Sequence, residues 1–62
     1  MGRTEAALAK LGVPDRIGVF GGVRRLVAKM LVDRAREVGA ATFRKEVEAV
    51  VAAVLEDAEE VQ

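Results

Sequence analysis

Few side chains of this chain could act as an acid, a base or a nucleophile. The 62 residues contain no Cys, no His and no Tyr, and Thr4 and Thr42 carry the only hydroxyl groups. Acid–base and covalent catalysis depend on such groups, and a chain this short has little room for a cavity of the usual size. The inventory therefore predicts a non-catalytic protein with no catalytic residues.

The same inventory limits metal and cofactor binding. Without thiolate or imidazole ligands, a metal could be held only by carboxylates, which suits Mg²⁺ or Ca²⁺ and not Zn²⁺. The glycine-rich segment at residues 18–25 could cradle an anion, but it matches neither the Walker pattern nor GxGxxG. We expect a tight connector there, with Ile17, Val19 and Phe20 packed inward, and we expect no metal and no cofactor.

Basic side chains form a second kind of candidate site. Three of them, Arg25, Lys29 and Arg36, share a narrow sector of the second predicted helix, opposite its apolar face. Such a strip could neutralise phosphates without reading bases. It could equally be a solvated face, in which Lys29 pairs with Asp33, or a partner for the acidic third helix. The candidate phosphate contacts are Arg24, Arg25, Lys29, Arg36, Arg44 and Lys45.

Charge is distributed unevenly along the chain. Residues 1–45 hold ten bases and four acids, a net charge of +6, and residues 46–62 hold six acids and no base, a net charge of −6. Such asymmetry is typical of a basic surface with an acidic tail, or of two elements that attract each other. The absence of Tyr and Trp argues against stacking on single-stranded nucleic acid.

Helical periodicity and helix-end signals predict an all-α fold in a single domain spanning residues 1–62. Thr4 and Thr42 are candidate N-caps, Gly39 ends the second helix, and residues 40–43 form a short linker. The fold is then one short and two longer amphipathic helices, a small helical bundle completed by oligomerisation. The helices are expected at about residues 4–11, 23–38 and 43–60.

Apolar residues recur at helical spacing along both longer helices and mark a candidate interface. Arg34 falls in the middle of the second helix's apolar stripe. It either extends to solvent at the helix end or pairs with Glu46 or Glu48 of a neighbouring chain. The candidate interface residues are Leu26, Val27, Met30, Leu31, Arg34, Phe43, Val47, Val50, Val51, Val54 and Leu55.

Size predicts that these apolar residues are covered by another chain. A domain of this length buries only about 60% of the surface that its unfolded form exposes, and small folds usually need a disulfide, a metal or a partner. We therefore expect a homo-oligomer, with a dimer favoured, or a larger protein partner. No run of 18 apolar residues and no signal-peptide core are present, so we expect no membrane association and a cytoplasmic location.

The segment at residues 35–50, Ala-Arg-Glu-Val-Gly-Ala-Ala-Thr-Phe-Arg-Lys-Glu-Val-Glu-Ala-Val, resembles the second half of a histone-type fold. There a long helix ends in Ala-Arg-x-x-Gly, a short Thr-containing strand follows, and the last helix starts with an acid and an aliphatic residue. The segment is also similar to the small C-terminal domain of the light-independent protochlorophyllide reductase B subunit, which has Ala-Arg-Glu-x-Gly and a Glu-Val pair beyond it.

The resemblance implies a helix–turn–long-helix–turn–helix dimer more than it implies DNA wrapping. Ala40 and Ala41 stand where DNA-wrapping histones place a DNA-facing Arg-Lys pair, and the net charge is zero. The leading expectation is a non-catalytic interaction module that acts by self-association or by docking to a larger protein. The alternative is a small histone-like or antitoxin-like DNA-binding protein, and an accessory subunit of an enzyme complex is the third hypothesis.

Overall fold

A computed structural model describes residues 2–60, which form three helices in chain order. They are α1 (Gly2–Lys10), α2 (Val23–Val38) and α3 (Ala40–Glu60). α2 is the central helix, and both α1 and α3 pack against it. The predicted all-α fold is confirmed, and the bounds of α2 agree with the prediction. No helix in the described part of the chain is long and apolar enough to cross a membrane.

The packed face of α2 differs from the predicted apolar stripe. Ala28 is 0% exposed, and apart from Leu8 of α1 it is the only buried side chain among residues 2–60. Leu26 and Met30, which the periodicity assigned to the apolar stripe and to the candidate interface, are 61% and 63% exposed. The most deeply buried position of α2 is therefore a small residue, and the Leu26–Met30 edge is uncovered.

The connector between α1 and α2 is held by backbone hydrogen bonds rather than by apolar packing. Ile17 and Phe20 exchange two backbone hydrogen bonds of 2.8 and 3.0 Å across a tight turn at Gly18, whose φ is +60°. A glycine at this position of a two-residue loop is typical of a type II′ turn. The predicted inward packing of Ile17, Val19 and Phe20 is wrong, because all three side chains are exposed.

A single residue joins α2 to α3. Gly39 has φ 85° and ψ 162°, a conformation that only glycine adopts readily. Its N–H donates to the Ala35 carbonyl over 2.9 Å, and its carbonyl accepts the first hydrogen bond of α3 from the Phe43 N–H over 3.0 Å. α3 therefore begins at Ala40. The predicted linker at residues 40–43 is wrong, and Thr42 lies inside the helix instead of capping it.

The protomer is flat and open. Its principal extents are 34 × 31 × 17 Å and its radius of gyration is 13.4 Å, whereas a compact domain of this length has a radius of about 10.6 Å. It exposes 5300 Å² of surface, against about 3,900 Å² for a compact monomer of its mass. The excess arises largely in α3, where every side chain at residues 47–60 is exposed.

Candidate interaction surface

An open groove is lined by residues from the α1, α2 and α3 parts of the chain. Its volume is about 620 Å³, and its lining is apolar apart from one hydroxyl and one carboxylate. Four of the predicted interface residues line it, namely Leu31 on α2 and Phe43, Val47 and Val50 on α3. The complete lining consists of Thr4, Leu11, Leu31, Val32, Ala35, Phe43, Glu46, Val47 and Val50.

The apolar stripe of α3 continues from the groove toward the end of the helix. Val51, Val54 and Leu55 follow Val47 and Val50 at intervals of three and four residues, so they lie on one side of the helix. These three side chains are 51%, 58% and 59% exposed. We call this segment, residues 51–58, the free half of α3, because no side chain in it is covered by its own protomer.

The remaining predicted interface residues of α2 are divided between two edges. Val27 is partly covered within the protomer. Leu26 and Met30 are exposed and do not line the groove. The structure therefore brings the α3 residues and Leu31 together, and it places Leu26 and Met30 on a separate edge of α2.

The first helix contributes to the groove, although the predicted interface includes none of its residues. Leu11 lines the groove although it follows the last residue of α1, and Thr4, expected to cap the helix, lies inside α1 and lines the groove as well. The spacing of Leu11 three residues after Leu8 was the available signal, because residues at that spacing share a helix face.

Arg34 is paired within its own chain. Its Nε donates to Glu46 Oε1 over 3.0 Å and its second terminal nitrogen donates to Glu46 Oε2 over 2.6 Å, so the contact is bidentate. Its other terminal nitrogen donates to Glu37 Oε2 over 3.3 Å. The predicted pair with Glu46 of a neighbouring chain is replaced by a pair within the chain, because the one-residue junction at Gly39 turns the start of α3 back toward α2.

Ion pairing lowers the pKa values of two carboxylates, Glu46 and Asp33. The hydrogen bond from Arg34, together with its positive charge, lowers the pKa of Glu46, and partial desolvation opposes the shift. The hydrogen bond from Lys29 likewise lowers the pKa of Asp33. All of these groups are at least one third exposed, so solvent screens the pairs and they orient the helices more than they stabilise the fold.

Two of the six candidate phosphate contacts are engaged inside the protomer. Lys29 Nζ lies 2.7 Å from Asp33 Oδ2, as expected if the strip is a solvated helix face. Arg24 Nε donates to the Val13 carbonyl over 2.6 Å and ties α2 to the connector, a role that no sequence signal indicated. The other four, Arg25, Arg36, Arg44 and Lys45, are exposed and form no ion pair with residues 2–60.

Comparison with protein-family models, with curated proteins and with solved structures finds no match. The resemblance to the histone-type fold and to the reductase domain therefore stays a prediction. Within residues 2–60, no cluster of three or more carboxylates could hold a metal ion. The candidate surface consists of an apolar groove, a helical apolar strip that continues from it, and exposed bases on α2 and α3.

Proposed function

We propose that this protein is a non-catalytic helical interaction module whose groove and free half of α3 are covered by another protein chain. The single observation that carries the proposal is the distribution of apolar side chains. Among the described residues, two hydrophobic side chains are buried, whereas twelve large hydrophobic side chains are exposed. Five of the twelve lie on α3 and follow one side of that helix, and extensive contiguous apolar patches are typical of interaction sites.

The energetics favour the same proposal. Burying the exposed fractions of Val50, Val51, Val54 and Leu55, which are 51–62% exposed, would contribute on the order of 3–7 kcal/mol before the costs of association, at about 1.5–3 kcal/mol for a fully buried side chain. The whole stability of a typical domain is only about 5–15 kcal/mol. The covering chain, whether a second copy or a larger protein, would therefore supply a large part of the folding free energy.

The experiment is thermal unfolding, followed by circular dichroism at protein concentrations that span about three orders of magnitude. A midpoint that rises with concentration supports self-association, because association stabilises only the folded state. Poor folding at every concentration supports docking to a larger protein. A sharp, concentration-independent transition of a folded monomer would overturn the proposal, since the apolar surface would then need no cover.

A pair of matched variants locates the interface. Val54→Asp places a charge on the apolar strip, and Ala52→Asp places the same charge on another side of the same helix. Both side chains are exposed in the protomer, so neither substitution removes a contact within the chain. We expect Val54→Asp to abolish association and Ala52→Asp to preserve it.

Phosphate binding is a second candidate function, supported by the four exposed bases on α2 and α3. A labelled 30-base-pair duplex is titrated with the protein at about 50 and 200 mM salt, because phosphate contacts lose most of their affinity over this range. Tight binding at low salt that collapses at high salt, and that Arg25→Glu with Arg36→Glu removes, would support this function. Absence of binding at low salt would exclude it.

A further inference from the structure

We propose that the groove is filled by the free half of α3 from a second copy of this chain, in a twofold dimer whose α3 helices run antiparallel and cross between Val50 and Val51. This inference rests on the proposed function, because it names the chain that covers the apolar surface. Four observations support it: the spacing of the α3 stripe, the position of its two halves relative to the groove, the size of the protomer and the distribution of charge.

Most of the apolar stripe of α3 has the same spacing in both directions from its centre, and Leu55, whose mirror position is Glu46, is the exception. Val50 and Val51, Val47 and Val54, and Phe43 and Ala58 are each equidistant from a point midway between Val50 and Val51. α3 spans Ala40–Glu60, so this point lies close to the middle of the helix. A twofold interface must be complementary to itself, and a stripe with this symmetry meets that requirement when two helices run antiparallel.

The two halves of the stripe differ in their position relative to the groove. The first half, Phe43, Val47 and Val50, lines the groove together with α1 and α2. The second half, which contains Val51 and Val54, lies beyond the groove lining, and both of these side chains are more than half exposed, as Val50 is. The antiparallel arrangement places the free half of each copy over the first half of the other. Each groove is then filled, and each free half is buried, by the same reciprocal contact.

The size of the protomer matches what such a dimer requires. Each copy exposes 5300 Å², about 1,400 Å² more than a compact monomer of its mass. Burying this excess on both copies gives a total of about 2,800 Å², which falls in the range of obligate homodimers.

Charge favours the antiparallel orientation over the parallel one. Four acids, Glu56, Asp57, Glu59 and Glu60, end α3, and Arg44 and Lys45 lie near its start. A parallel pair would bring the acidic ends together, whereas an antiparallel pair brings each acidic end to the basic start of the other helix. Helical spacing of about 100° per residue places Arg44 and Glu59 on the same flank of the stripe and Glu60 on the opposite flank.

The test reverses one charge on each side of the proposed contact. Arg44 and Glu59 lie on one helix about 22 Å apart, at 1.5 Å per residue, so they cannot interact within a protomer. Arg44→Glu or Glu59→Arg alone creates two repulsive contacts in the dimer, and we expect each to raise the dimer Kd about tenfold. The double variant, or an equimolar mixture of the two single variants, restores attraction and returns the Kd to within about threefold of the original.

The matched control combines Arg44→Glu with Glu60→Arg. The reversed acid is then one residue further along the helix and on the other flank. We therefore expect the dimer Kd to stay raised. Sedimentation equilibrium measures the mass and the Kd, and the dimer mass should be about 13 kDa, twice the 6.6 kDa of the chain. A dimer without the restoration would overturn the antiparallel arrangement and leave the proposed function standing.

Other outcomes identify which proposal fails. A folded monomer at all concentrations overturns both the dimer and the proposed function. A chain that stays poorly folded at all concentrations overturns the second copy as the occupant and favours docking to a larger protein.

A second measurement covers the case in which a charge variant fails to fold. The chain has no Cys, so Val51→Cys introduces a single thiol beside the proposed twofold axis. Mild oxidation should join most of the dimer through a disulfide, which requires the two Cα atoms to lie within about 7 Å. Ala49→Cys, at nearly the same height on the opposite side of α3, should not cross-link. Equal cross-linking of the two variants would overturn the arrangement.

Discussion

Arg34 on α2 and Glu46 on α3 form a bidentate ion pair across the one-residue junction between their helices. Two guanidinium nitrogens donate to the two carboxylate oxygens over 3.0 and 2.6 Å. Two parallel hydrogen bonds fix the relative orientation of two planar groups, which a single contact does not. The pair therefore sets the angle at which α3 leaves α2, and with it the shape of the groove that Glu46 lines.

This ion pair predicts a pH dependence of stability that Glu46→Gln removes. The hydrogen bond from Arg34 holds the pKa of Glu46 below its ordinary value, so the folded state prefers the ionised carboxylate. The stabilisation is fully present above the ordinary glutamate pKa and is lost as the pH falls through the lowered pKa of the folded state. Glu46→Gln should lower the unfolding midpoint at pH 7, and its difference from the original protein should shrink toward pH 3.

The measurement is thermal unfolding from pH 7 to pH 3 at one fixed protein concentration, because association also contributes to the midpoint. Glu48→Gln is the control, since it removes the same charge from the same helix and Glu48 forms no ion pair with the described residues. A difference between Glu46→Gln and the original protein that stays constant with pH would contradict the assigned role of Glu46.

Substitution of Gly39 is predicted to destabilise the protein because of its backbone conformation alone. Its φ of 85° with ψ of 162° is available almost only to glycine, and no atom lies within 4 Å of the position where a Cβ would stand. Gly39→Ala should therefore destabilise the protein by about 1–3 kcal/mol through backbone strain and not through a clash.

Chemical denaturation compares Gly39→Ala with Gly21→Ala. Gly21 has no positive φ, and an added Cβ there would meet only the end of the Arg16 side chain at 3.9 Å. Gly21→Ala is expected to be neutral or stabilising by up to about 1 kcal/mol, since it restricts the unfolded chain. Equal effects of the two substitutions on stability would show that a side chain at position 39 does not strain the junction.

Ala28 is predicted to be the position of α2 that is most sensitive to added volume. It is fully buried, and a larger side chain would have to push the packed helices apart. Ala28→Leu should destabilise the protein by about 1–3 kcal/mol, the usual cost of overpacking. Ala52→Leu, on an exposed side of α3, should change stability by less than about 0.5 kcal/mol. Denaturant midpoints measured at one concentration check both values.

The sequence predicted α2 well because its helix-end glycine and its periodicity agree. It failed at the start of α3, because Ala40 and Ala41 carry no cap signal. The conformation of Gly39 alone makes the turn for which a longer linker was expected. It failed at Ala28 too, since periodicity follows large apolar residues and gives no weight to the small one that is buried. Glu46 was a named candidate partner for Arg34, but only the turn at Gly39 shows that both lie in one chain.

The connector supplies the last prediction, because Arg24 and Arg25 are neighbours with different environments. Arg24 Nε donates to the Val13 carbonyl over 2.6 Å in a partly buried position, whereas Arg25 is exposed. Arg24→Met keeps the aliphatic stem but removes the donor, and it should cost about 1.5–3 kcal/mol, the usual value of a hydrogen bond to a charged group. Arg25→Met should cost less than about 0.5 kcal/mol.

Hydrogen exchange adds a local readout to the denaturation midpoints of the two arginine variants. The Val23 N–H donates to the Asp15 carbonyl over 2.9 Å, so its protection reports whether the connector stays docked on the start of α2. We expect Arg24→Met to lower this protection and Arg25→Met to leave it unchanged, because local opening requires only the loss of nearby contacts. Equal protection in both variants would mean that the backbone hydrogen bonds alone hold the connector in place.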